Sequence, residues 1–199
     1  MTKPSLPVLI AIPALMTLAA CGGSNNGSAG DPMRDPGVNK PLLEALQNEN
    51  AALFSAPQAN LPPPGTTNYS GFAQIASDGS VVPAGEAVGR ATLTATFGAP
   101  GSDVLSGRFY DFDDPTGTYD GELTVASTGL EQEQGRTVID ADVDGTLTRS
   151  TGEVITVDGA LRNRLFGNGG TYMVGAGKAS VESGTMTGGA EIFINVTAD

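Results

Sequence analysis

The chain has 199 residues, with 10 Lys+Arg against 22 Asp+Glu, 28 Gly, one Cys and neither His nor Trp. That length suits one modest domain with extensions, and the acidic excess argues against nucleic acid as a partner, since such binding rests on neutralising phosphates. The missing histidines exclude Ser-His-Asp and Cys-His triads and His-based zinc sites, while a lone Cys excludes an internal disulfide, CxxC redox chemistry and iron–sulfur clusters.

At the N-terminus a single charge, Lys3, precedes an apolar run from Leu6 to Ala20, which is the layout of a secretory signal. The run is short for a membrane span and contains Pro7 and Pro13. Its end, Leu18-Ala19-Ala20-Cys21, resembles the bacterial lipobox. Small residues let the chain lie extended in the peptidase, and the thiol of Cys21 accepts the diacylglycerol. The expectation is a signal peptide over 1–20, lipidation at Cys21, and attachment to the membrane by several acyl chains, which hold where one alone does not. Gly22 rather than Asp follows the Cys. By resemblance to enterobacterial sorting, that implies the outer membrane, with the domain facing the exterior or the periplasm.

Residues 22–37, GGSNNGSAGDPMRDPG, have the composition of a flexible tether. Residues 41–54 then place Leu42, Leu46 and Leu53 near one helical face behind Pro41, which predicts a short amphipathic helix. Leu61-Pro62-Pro63-Pro64-Gly65 reads as a stiff linker. The division is therefore signal 1–20, lipidated tether with helix and linker 21–67, and a folded domain over 68–199.

From Asn68 onward the pattern has period two. Ala91, Leu93, Ala95 and Phe97 alternate with threonines, Ile139 to Leu147 alternate with Asp and Thr, and Ile192, Ile194 and Val196 close the series. Strands are predicted at 68–76, 87–97, 103–112, 118–127, 136–149, 153–163, 171–182 and 186–196. Pro83, Pro100 and Pro115 fall between them, where no ladder hydrogen bond is lost. Short turns and no helix-length gaps predict an all-β fold, an eight-stranded antiparallel up-and-down barrel of the lipocalin-like kind.

Several stretches have a recognisable order: EAVGRATLTATFG with Phe97-Gly98, DVLSGRFYDF with Ser106-Gly107 and Phe109, then Leu165-Phe166-Gly167 leading into Val174-Gly175. In that order, behind a lipobox, they resemble the β-barrel domain of the transferrin-binding protein B family of surface lipoproteins. The resemblance covers 68–199. It departs at the end, which reads GGAEIFINVTAD, and in having no room for a handle domain or a second lobe. It implies an eight-stranded barrel and an iron- or haem-carrying protein as ligand.

Candidate sites are few. Asp140, Asp142 and Asp144 open like an EF-hand loop, but Thr151 stands where the bidentate Glu belongs, so a solvated acidic ladder on one strand face is expected. Asp111, Asp113, Asp114 and Asp120 surround FDDPTGTYDG, which is turn chemistry more than a cation or acid–base site. Tyr69, Tyr110, Tyr119 and Tyr172 are expected at a barrel rim, with packed rings and wet hydroxyls. Arg162-Asn163-Arg164 before Leu165-Phe166 is the one basic concentration of the domain. Arg162, Arg164 and Phe166 are the candidate partner contact, and cross-strand pairing of the arginines is the plainer alternative.

The function expected is a non-enzymatic, membrane-anchored binding module, without catalytic residues, metal or cofactor. The alternative is a lipocalin-like carrier whose small inward residues Ala91, Ala95 and Gly159 leave room for an apolar ligand inside the barrel.

Overall fold

The computed structural model describes residues 35–52, 62–77, 81–82, 85–98, 104–133, 136–167 and 169–199. Period-two alternation becomes eight strands: β1 (Gly65–Ser77), β2 (Glu86–Phe97), β3 (Leu105–Asp114), β4 (Gly117–Glu133), β5 (Arg136–Arg149), β6 (Val154–Phe166), β7 (Tyr172–Ser183) and β8 (Met186–Ala198). Each pairs antiparallel with its sequence neighbour, and β1 pairs with β8 to close the barrel. The closing register sets Ala73 opposite Ile194 and Ile75 opposite Ile192. Closure leaves no strand edge unpaired.

Glycine makes the closing seam possible. A Cβ on Gly71 would lie 2.2 Å from the Asn195 carbonyl oxygen and 2.8 Å from the Val196 Cα. Only a residue without a side chain lets β1 and β8 approach that closely.

The inward residues of all eight strands form one buried cluster, from Tyr69 and Ile75 on β1 to Ile192, Ile194 and Val196 on β8. Val81 and Val82, from the β1–β2 connection, join it at one end. That end, called basal here, carries the turns 115–116, 150–153 and 184–185; the opposite rim carries the ends of β2, β4 and β6 and the starts of β3, β5 and β7.

Between β2 and β3 the register slips: Arg90 faces Tyr110 and Val88 faces Asp113, so Gly89 stands against both Asp111 and Phe112. This is a β-bulge, with Asp111 at φ 54°. It re-aims Phe112 into the core, where its ring occupies the space a side chain on Gly89 would need (2.7 Å).

The bulge also turns two carbonyls outward, and helix α1 (Asn39–Asn50) begins on them. The Asn39 side-chain amide donates to the carbonyls of Val88 (3.1 Å) and Asp111 (2.6 Å), while its backbone N–H donates to the Asp113 carboxylate. Asp113 thus caps, from the barrel, a helix that has no side-chain cap of its own. The helix lies on the barrel's outside, with Leu43 buried against Phe72 and Val88 and with Leu46 packed alongside. The predicted helical face needs correction. Leu42 is 43% exposed and the apolar contact falls to Leu43, because docking is set by the Asn39 anchor; Leu53 and Phe54 lie outside the described residues.

Candidate functional site

The sequence candidates on β6 share one face. Ile155 through Leu165 alternate inward, so Arg162, Arg164 and Phe166 all point outward toward the rim. Arg162 is already engaged: its guanidinium meets Glu133 at 3.3 Å, Glu131 at 3.5 Å and Asp140 at 4.0 Å. The plainer cross-strand alternative therefore holds for Arg162. Arg164 is exposed, whereas Phe166 is half-buried, its ring 6.3 Å from that of Tyr172.

Strand register extends this face into something the sequence does not reveal. Arg164 stands opposite Val174 and Arg162 opposite Ala176 on β7; those two stand opposite Asn195 and Phe193 on β8. Val174, Gly175, Ala176, Phe193 and Asn195, with Gln74 of β1 and Gln47 of α1, line a groove of about 420 Å³ on the barrel's outer wall. Its floor is mostly apolar, its polar groups are neutral amides, and the two arginines stand on the adjacent strand beside Val174 and Ala176, about 6.6 Å apart. Tyr172 braces it from the side by donating to Asn195 Oδ1 at 2.6 Å; burial pushes that phenol up to about 12. Such a surface suits an extended segment that offers apolar side chains to the floor and a carboxylate to Arg164.

A second cavity, about 170 Å³, lies at the basal end between α1 and the β3–β4 turn, lined by Lys40, Glu44, Glu86, Val88, Asp113 and Pro115 among others. Its carboxylates have structural work: Asp113 caps α1, and Glu86 pairs with Lys40. Asp114 accepts from Thr116 N–H, Thr116 Oγ1 and Tyr119 Oη, each at 2.6 Å, with Arg149 at 3.9 Å. Burial works to raise the Asp114 carboxyl, but the hydrogen bonds from Thr116 and Tyr119, with the Arg149 charge, outweigh it and hold the group below the ordinary carboxylate range. The turn reading of this Asp cluster is right for Pro115 and Thr116 and incomplete for Asp113 and Asp114, which are buried.

The acidic ladder sits as expected: Asp142 and Asp144 are exposed on the outer face of β5, with Asp140 half-buried beside Arg162. Among the described residues no three acidic or Cys side chains converge on a point where a metal ion would sit. The tyrosines depart from the rim expectation. Tyr69, Tyr119 and Tyr172 are fully buried, and their hydroxyls donate to Gly170 O, Asp114 Oδ2 and Asn195 Oδ1. Only Tyr110 is half-exposed, under the Arg108 guanidinium at 4.8 Å.

Inside the barrel Ala91 and Ala95 are buried among larger neighbours, and neither cavity described above opens to the interior. One polar atom there stands out. Asn163 donates to the Ile139 carbonyl, while its Oδ1 has no hydrogen-bond partner among the described residues and fills the space that Gly175 leaves. Cys21 and the rest of the lipobox lie outside the described residues. Among those described, no helix is long and apolar enough to cross a membrane. Comparison with protein-family models, with curated proteins and with solved structures finds no match to this chain.

Proposed function

We propose that the protein is a lipid-anchored β-barrel of the outer membrane, held by acyl chains on Cys21, that acts as a non-enzymatic binding module. In this reading it belongs with the transferrin-binding protein B-like barrels, and its ligand is an iron- or haem-carrying protein. The supporting observation is where the space lies. Side chains of all eight strands meet in the interior, whereas the larger of the two cavities described is an outer groove beside Arg162 and Arg164. That distribution favours recognition at the surface over carriage of an apolar ligand within. The motif order supports the family reading: Phe97-Gly98 ends β2, Ser106-Gly107 lies in β3, Leu165-Phe166-Gly167 ends β6 and Val174-Gly175 lies in β7.

Two measurements test the reading. Mass spectrometry should find the mature chain beginning at S-diacylglyceryl Cys21, and Cys21→Ser should leave the protein unprocessed or free of membranes. Surface plasmon resonance against transferrin and haemoglobin should show binding that Arg164→Glu with Phe193→Asp weakens at least tenfold, about 1.4 kcal/mol. Binding of neither carrier removes the ligand assignment, and an unmodified N-terminus at another residue removes the anchor.

A further inference from the structure

The chain enters the barrel region at one end and begins β1 at the other. Gly37 backs onto the β3–β4 turn, where a Cβ on it would lie 3.6 Å from the Pro115 Cα. Asn39 is held by Val88, Asp111 and Asp113, and Lys40 by Glu86. All of these are at the basal end. Helix α1, about 18 Å long, then crosses the outer wall from β2 over β1 toward β8, where Gln47 meets the groove beside Gln74 and Phe193. Pro62 lies against Gly170, and β1 starts at Gly65, at the opposite rim.

Given the anchor at Cys21, this path has a consequence for orientation, and it rests on the lipidation proposed above. Thirteen residues separate Cys21 from Asp35, the first described residue. The barrel, with strands of about thirteen residues tilted near 40°, is about 30 Å tall. While α1 is docked, the tether joins the barrel at the basal end, and setting the far rim on the bilayer instead would require its thirteen residues to cover about 30 Å of barrel wall, about two thirds of their fully extended limit of about 45 Å. With α1 released, the barrel's first covalent hold is Gly65, at the other rim.

We propose that helix α1 is an orienting latch: docked through Asn39 and Leu43, it turns the basal end toward the bilayer and presents the rim that carries Phe166 and Thr171 to partners approaching from solution. Two of the basal turns, 115–116 and 184–185, have only two residues and suit a surface that meets headgroups. The groove beside Arg164 then opens on the side wall, above the membrane.

Energy transfer in vesicles tests this. The mature lipoprotein carries one introduced cysteine, Thr151→Cys in a basal turn or Thr171→Cys at the far rim, both exposed. The acylated Cys21 does not compete for the label. With acceptor-labelled headgroups in phosphatidylethanolamine/phosphatidylglycerol vesicles, transfer should be at least about twofold greater from position 151 than from 171, the ends being about 30 Å apart. Adding Asn39→Ala and Leu43→Asp should abolish or reverse the difference, with circular dichroism showing the barrel intact. Equal transfer in the native sequence, or greater transfer from 171, overturns the latch and leaves the anchor standing. Failure of the mature chain to stay on vesicles overturns the anchor, and the latch with it.

Discussion

A chain that begins at Pro64, and so lacks α1, should still fold, at measurable cost. The barrel closes through β1 and β8, both of which it keeps. What it loses can be counted. Leu43 is 4% exposed, and burying a leucine stabilises by about 1.5–3 kcal/mol. The Asn39 amide makes bonds of 3.1 and 2.6 Å to Val88 and Asp111, worth about 1 kcal/mol each. The exposed Lys40–Glu86 pair adds well under 1 kcal/mol. Against this, the freed carbonyls and Asp113 regain water, and the ordering entropy of the helix is returned. The net loss should be about 3 kcal/mol, which for a domain of this size lowers Tm by about 10 °C. Differential scanning calorimetry measures it. A non-cooperative melt would place α1 inside the folding unit, and an unchanged Tm would mean that the helix contributes nothing. Leu43→Asp in the full chain should reproduce most of the loss, whereas Leu42→Asp should stay within about 0.5 kcal/mol, since Leu42 is 43% exposed.

Gly71→Ala should destabilise the barrel by about 3 kcal/mol, because the new Cβ would meet the backbone of β8 at 2.2 Å; chemical denaturation reads this, and a change under 1 kcal/mol would contradict the tight seam. Burial pushes the phenols of Tyr69 and Tyr172 up to about 12, above their unfolded value near 10. Both therefore contribute stability that is complete below pH 10 and is lost as pH rises toward 12. Phenolate absorbance should appear together with unfolding, and full ionisation near pH 10 in a folded protein would contradict their burial. Asp114, held below its ordinary value, works in the other direction: its contribution is present above about pH 4 and is lost as pH falls through its folded pKa. Asp114→Asn should therefore flatten the acid limb of the stability profile. Calorimetry should find no micromolar calcium site at Asp140, Asp142 and Asp144, and a site lost in Asp142→Ala would overturn the ladder reading.

Strand positions were legible in the chain because alternation is local: each residue's face follows from its parity, and Pro and Gly mark where pairing stops. The expectation of a closed barrel needed only that every strand have a neighbour on both sides. Parity fails where register slips. The bulge at Asp111 inverts the face of Phe112, exposes two carbonyls and so selects where α1 docks. No local pattern announces that bulge, and without it Leu42 and Leu43 are equally good candidates for the buried face. The tyrosines were misplaced for a related reason: whether a hydroxyl is wet depends on what covers it, and Gly170, Asp114 and Asn195 are distant in sequence or lie on another strand. The groove is the clearest case. Arg164, Val174 and Asn195 are brought side by side only by the stacked registers of β6, β7 and β8. Each residue alone reads as an ordinary surface position, and only closure of the barrel sets them in one wall beside the helix.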